Sequence, residues 1–344
     1  MATIASAPPP ALTFPRPIFA AVSPHPFLQA HLSANKAALR ASGRAAQEFR
    51  APGVNTGSLT HSNGSAVVRL GNTSVVCGVR AEILNEQDTP GTSSPASVNA
   101  NGNVDSDENE DEDTESDEIE SLRLLVPNVE LSTGSTPAHI PGNAPSTFAQ
   151  SLITRIRTLL HSTHMLRPRD LRISYTPSTN PEDPDAAPQT ELKGYWVLYL
   201  DVFFISIDGA AFDAAWLAIV AALRNTRLPR AFFDEEYEGI LCSDDPAEAS
   251  PLNLRGLPVP SSFAVFEGRG EGDGEKGQDW VLSDPDAFEE GVCRETMTIT
   301  VDRGAIRRVE KSGGGVVGRK EMKELVKRAM ERWSVVEKAV GAKS

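Results

Sequence analysis

GSLTHSNGSAVVRLGNTSVVCGVRAE, residues 57–82, decides how the remainder of the chain is read. Asn63-Gly64 and Gly71-Asn72 are turn pairs of the kind that takes positive φ. Each is flanked by strand-forming residues, and together they predict a meander. Between them, Ser65-Ala66-Val67-Val68-Arg69-Leu70 places Val68 and Leu70 on one face. After the second pair, Ser74 to Val79 is apolar on both faces, as a strand covered above and below would be. Gly78 weakens that strand by propensity, which predicts a bulge or a close approach of another backbone.

The flanks differ sharply in composition. The first 47 residues hold no Asp or Glu but include Arg16, Lys36, Arg40 and Arg44. Mitochondrial transit peptides share this bias, but prolines at 8–10, 15, 17, 24 and 26 interrupt the amphipathic helix such a peptide needs. Residues 1–35 are therefore expected to be a flexible arm, with a short helix permitted within about Phe27 to Arg40. From Asn85 to Glu120 large apolar residues are sparse and eleven acids run without a base between Asp105 and Glu120. Such a segment buries too little to offset its ordering entropy, so 85–120 is expected to be a disordered insertion. The chain of 344 residues carries a formal charge of −14, and without those eleven acids it stands at −3. A body so near neutrality neither requires nor excludes RNA.

Downstream, Leu122 to Leu131 is strand-like, and Ser146 to Leu160 has Phe148, Leu152, Ile156, Leu159 and Leu160 at helical spacing with a Ser146 or Thr147 cap. Leu171 to Tyr175 is a short strand. Tyr195 to Ile207 is apolar on both faces and too aromatic and β-branched for a helix. Ala210 to Asn225 follows as an alanine-rich helix, and Ser262 to Glu267 as the next strand, a βαβ crossover in this reading. Leu228 to Pro260 reads as an insertion. Trp280 to Ser283, Thr296 to Asp302 and Ala305 to Lys311 are further strands, the last two joined by an Asp302-Arg303-Gly304 hairpin. Gly318 to Val340 is a helix with an apolar stripe and a basic, solvated face from Arg319 to Arg332. The first part spans 36–84 and 121–225, the second 226–344.

The stretches Gly64-Ser65-Ala66, Leu70 to Val75, Cys77-Gly78-Val79 and Ala81-Glu82 resemble the first sheet of the RNase PH family, and Ser261 to Phe266 resembles it further on. The resemblance covers most of Arg40 to Val340. It implies an α+β, RNase PH-like (ribosomal protein S5 domain 2-like) fold with βαβ halves. It also implies degradation of RNA from the 3′ end by phosphorolysis, or loss of that activity within a ring-shaped complex.

By that resemblance the loop after the long strand should hold the attacking phosphate through backbone N–H groups, a helix N-terminus and an arginine. The matching residues are Gly209, Ala210, Ala211, Phe212 and Asp213. Phe212 stands in place of the arginine, and Asp213 is expected to add negative charge there. The family's carboxylate pair is matched by Glu290 and Thr296, the latter unable to ionise, or by Glu295 if the alignment slips by one. Of the family's Arg-Pro-Asp-Gly-Arg approach, Gly43 and Arg44 survive. These degenerate phosphate and acidic sites point to a non-catalytic ring subunit of the eukaryotic RNA exosome, with no catalytic residue. Its implied partners are related ring subunits, S1/KH cap proteins and RNA, in the nucleus, nucleolus and cytoplasm. Arg44, Arg155 and Arg157 are candidate RNA contacts, with an acidic neighbour or solvent exposure the alternatives for the last two.

Other signals point to no chemistry. Gly313 to Gly318 satisfies G-x-G-x-x-G, but no strand follows its helix, so a dinucleotide is not expected and the glycines read as a mobile link. His161 and His164 lack a metal-ligand pattern, and Cys77, Cys242 and Cys293 are widely spaced, as in a reducing compartment. No cofactor and no membrane span are expected. Two alternatives remain: a phosphorolytic enzyme whose site is completed by a neighbouring subunit, and a scaffold unrelated to RNA.

Overall fold

The computed structural model describes residues 15–34, 38–89, 118–136, 146–176, 190–270, 277–314 and 316–341. The meander exists: β1 (Pro52–Thr56), β2 (Gly64–Leu70) and β3 (Thr73–Asn85) are successive antiparallel neighbours. Only one of the two turn pairs acts as a turn. Leu70 pairs with Thr73 across Gly71-Asn72, and of that pair only Gly71 has positive φ, at 58°. Asn63-Gly64 ends a longer loop instead. A Cβ on Gly64 would lie 2.3 Å from the Thr226 hydroxyl, so this glycine permits a close approach rather than a turn.

β3 pairs on its other edge with β6 (Glu191–Ser206), whose far edge is shared by parallel β4 (Leu125–Leu131) and antiparallel β5 (Arg172–Tyr175). Between β4 and β5 runs α3 (Thr147–Thr163), capped by Ser146 Oγ, which accepts from the Ala149 N–H. One face of the sheet, with Val68, Leu70, Val75, Cys77, Val79, Leu200, Val202 and Phe204, is almost fully buried. The other is not covered as expected: Ser74, Val76 and Gly78 are half-buried, and Phe203 and Ile205 are exposed. No bulge occurs at Gly78; its missing Cβ leaves room for Leu59, 3.2 Å from where that atom would sit.

Helix α4 (Ala211–Asn225) is buried at every position from Ala211 to Leu223. Its small side chains let it pack on β2 and β3 and on a second sheet at once. The expected βαβ crossover through α4 does not occur. After α4 the chain passes through short strands β7 (Arg227–Leu228), β8 (Ala231–Asp234), β9 (Gly239–Cys242) and β10 (Ser250–Pro251). It then enters β11 (Val259–Phe266), which belongs to the second sheet, ordered β12 (Trp280–Ser283), β11, β13 (Glu295–Asp302), β14 (Ala305–Ser312) and antiparallel throughout. A helix buried on all sides serves two sheets, and strand periodicity does not say which strand is the partner. Here β12 and β13 flank β11 and run parallel to each other, joined by α5 (Ala287–Val292), a split βαβ unit.

α6 (Arg319–Gly341) covers one face of this sheet, where Leu325 and Ala329 pack with Phe263, Met297, Ile299 and Val301. The other face receives α2 (Pro24–Ala34) through Leu28 and Leu32, which lie with Ala264, Phe266 and Leu282. The arm therefore carries two helices between Arg16 and Ala34, α1 (Arg16–Val22) preceding α2. Pro15, Pro17, Pro24 and Pro26 stand at or near helix starts, where a missing N–H is harmless and the fixed φ helps. Residues 1–14 lie outside the described residues, as does most of the acidic insertion. Its two ends are structured, with Asn85 paired to Gly194 in the sheet and Glu118 accepting from Tyr195 Oη at 2.6 Å. Part of the Gly313–Gly318 link, at 315, also lies outside.

Candidate functional site

The candidate site lies where the loop between β6 and α4 meets the segment from β12 to α5. Gly209 and Ala210 take φ of 70° and 47°, a reversal that turns the chain from strand into helix. A Cβ on Gly209 would fall 2.3 Å from the Pro285 carbonyl oxygen, so only glycine allows this approach. Ala210, as N-cap, has no side chain to accept from the helix, and α4 takes its anion from elsewhere. Glu290 Oε1 accepts the Ala210 N–H at 2.8 Å, giving the helix N-terminus a carboxylate from the second half of the chain. Packing around the Glu290 carboxyl and repulsion from Asp213 and Asp284 push it up to about 7, although the Ala210 N–H and Arg50 pull the other way. The residue as a whole is exposed, so solvent screens part of this effect.

Phe212 is 3% exposed, and Arg155 from α3 lies over its ring, with Cζ 3.9 Å from the centroid. Arg155 also donates to Glu310 Oε2 at 2.8 Å and to Thr298 Oγ1 at 3.2 Å. An aromatic face, a hydroxyl and a carboxylate thus already hold the half-buried Arg155. Asp213 does not extend into the loop where a phosphate would need room. It is buried and accepts from the Ser262 N–H at 2.8 Å and from Ser262 Oγ at 2.7 Å, tying α4 to β11. Burial pushes its carboxyl up to about 6 against the pull of those two bonds.

Thr296 sits half-buried on β13, paired with Ala264 and Ser312, on the face it shares with Thr298. Glu295 turns to the opposite face, with its Oε2 3.8 Å from Lys311 Nζ, so a slipped alignment does not bring it to the Thr298 side. Arg44 donates to the Asp284 carbonyl at 3.0 Å and lies within 4.0 Å of Asp284, Asp286 and Glu289 carboxylates, which removes it as a free RNA contact. Arg157 is exposed on α3. His161 lies in the last turn of α3 and His164 is its left-handed C-cap.

Sequence reading missed the charged residues beneath this loop. Asp284 (φ 52°) binds Arg50 in a two-pronged pair, Nε to Oδ2 at 2.8 Å and Nη2 to Oδ1 at 2.7 Å, and also accepts the Arg50 N–H. Burial alone would raise the Asp284 carboxyl, but Arg50 more than reverses this and holds it below its usual range. Arg50 further donates to the Asp208 carbonyl at 2.7 Å. Arg40, fully buried, donates to Glu289 at 3.1 Å and to carbonyls of Ala46, Glu48 and Asp284. Arg332 is not on a solvated face: it is 6% exposed, stacks on Phe49 and donates to the Arg50 carbonyl. The spacing of Arg40, Arg44 and Arg50 was the available signal, but their partners stand more than 230 residues away.

Residues 48–229 match the model of the 3′ exoribonuclease family, domain 1, known as RNase PH. The chain belongs to the RNase PH family. Among relatives of this RNase PH chain, the exosome complex component rrp43 of Schizosaccharomyces pombe is 29% identical over 304 residues, spanning 88% of this chain and 90% of that protein. The exosome complex component Rrp42 of Thermococcus gammatolerans is 26% identical over 310 residues, spanning 89% and 92%. The RNase PH fold is shared with a structure of the Archaeoglobus fulgidus exosome with RNA bound to the active site. Its TM-score is 0.60 at 22% identity, with 93% of this chain and 98% of that one covered. An archaeal exosome core gives 0.59 at the same identity.

Proposed function

We propose that this chain is a non-catalytic ring subunit of an RNA exosome. The observation that carries this is the Glu290 carboxylate on the Ala210 N–H, 2.8 Å away. Phosphorolysis needs inorganic phosphate at the helix N-terminus after the long strand, and here the chain's own Glu290 carboxyl already takes up that N–H. The guanidinium groups nearby offer no replacement. Arg44 and Arg50 are paired with Asp284, and Arg155 with Glu310. The relatives are exosome components across nearly their whole length, which supports a role in the same kind of assembly.

In this reading the partners are related ring subunits and S1/KH cap proteins. RNA threads the ring to a separate hydrolytic nuclease, in nucleus, nucleolus and cytoplasm. Native mass spectrometry of the tagged protein purified from its own cells, with and without RNase, tests it. An RNase-resistant assembly of several different subunits is the expected result. A free chain or homo-oligomer, or phosphate-dependent RNA decay by the isolated chain, overturns it.

A further inference from the structure

The β8–β9 hairpin lies beside β5 at one end of the first sheet, and its two faces are built differently. Phe233 and Ile240 are cross-strand partners on the inner face. The Phe233 ring lies 5.4 Å from that of Tyr175 and under Lys193 Nζ at 4.6 Å. Ile240 presses on Gly194, where a Cβ would fall 2.8 Å from its Cδ1. Tyr175 Oη also donates to Glu235, so the hairpin is pinned to the body of the protein.

The outer face is left open. Phe232 and Leu241 form its cross-strand pair, 41% and 38% exposed, and Tyr237 at the tip is 74% exposed. Single exposed apolar residues are ordinary, but an adjacent apolar pair with an aromatic tip on a pinned support has the make-up of an interface centre. The surround selects the partner. Between Ala231 and Glu248 there are seven acids and no Lys or Arg. Nucleic acid phosphates would be repelled. The chain's own acid-rich stretch between Asp105 and Glu120 has the same sign.

We propose that the outer face of this hairpin docks a basic protein surface. An apolar groove would receive Phe232, Leu241 and Tyr237, and lysine or arginine side chains on its rim would meet Glu236 and Glu238. This goes beyond ring membership and does not depend on it.

Zero-length carboxylate-to-amine cross-linking of the tagged chain, in complexes purified from its own cells, tests the proposal. Mass spectrometry should find cross-links from Glu236 or Glu238 to lysines of a second protein. That protein, purified, should rebind the chain with an affinity that falls as salt rises. Rebinding should weaken tenfold or more with Phe232→Ser plus Leu241→Ser, and with Tyr237→Ser alone. All three positions are exposed, so unchanged thermal midpoints should accompany the loss. The proposal is overturned by absent cross-links, by cross-links to another copy of this chain, by ultraviolet cross-links from Tyr237 to RNA, or by rebinding indifferent to the variants. The native mass of the same preparation is a separate readout: failure to form a ring counts against the ring reading and leaves the cross-links to judge the hairpin.

Discussion

Glu290 and Ala210 are 80 residues apart in sequence and joined by a 2.8 Å bond from the Ala210 N–H to Glu290 Oε1, which links the start of α4 to α5. Glu290→Gln keeps an acceptor oxygen and should preserve this link. Glu290→Ala should speed hydrogen exchange at the Ala210 amide about tenfold, as for loss of one hydrogen bond. Equal exchange in the two variants would show that the bond holds nothing.

The raised carboxyls of Asp213, Glu289 and Glu290 make stability depend on pH in an unusual direction. In the folded chain Asp213 keeps its proton up to about 6, whereas the unfolded chain releases it near 3.8. The folded state therefore binds more protons between these values, and stability falls as pH rises through that window. For this buried group the loss is about 2–3 kcal/mol. Urea midpoints should be higher at pH 5 than at pH 8, with Glu290 adding to the same trend. Asp284, held low by Arg50, acts only in more acidic solution. Asp213→Asn should flatten the slope, and a slope left intact would locate the titration elsewhere.

Gly209 and Gly43 both have positive φ, 70° and 85°, but different surroundings. Gly43→Ala meets nothing within 4 Å and should cost about 1 kcal/mol for backbone strain alone. Gly209→Ala adds a collision with Pro285 and Asp286 backbone and should cost about 3 kcal/mol or more. Denaturant unfolding of the two variants measures the difference, and similar values would rule out the tight loop.

Phe212→Arg places an arginine in the loop after β6 without surroundings that could use it. The ring it replaces is buried beneath Arg155, so a second guanidinium would be desolvated beside the first. The expected outcome is a destabilisation of about 3 kcal/mol or more and no gain in phosphate binding by calorimetry. Phe212→Leu, which loses the cation–π contact and part of the buried volume, should cost about 1–2 kcal/mol. Saturable phosphate binding by Phe212→Arg would contradict the geometry.

Elements with a strong local pattern were legible from residues alone. The one-faced pattern of Val68 and Leu70 in β2, the aromatic and β-branched run of β6, the apolar stripe of α6, the Ser146 cap of α3 and the Arg303-Gly304 hairpin turn all depend on neighbours within a few positions. Gly64 was misread because a glycine beside asparagine carries the same local signal whether it serves a turn or, as here, makes room for Thr226. The arm was misread because prolines that break a helix interior also begin one, and only α2 docking by Leu28 and Leu32 distinguishes the two.

The sequence by itself pointed to the family and to the elements with a strong local pattern, β2, β3, β6, α3, α4 and α6 among them. These follow from residue identity and short-range periodicity. Only the tertiary structure decided that α4 serves two sheets, that Arg155 covers Phe212, and that Arg50 and Arg44 are committed to Asp284. It also decided that the Ala210 N–H donates to Glu290. The physical reason is range: a charge acts on whatever the fold brings within a few ångströms, and partners separated by 80 to 250 residues leave no mark in the spacing of either one.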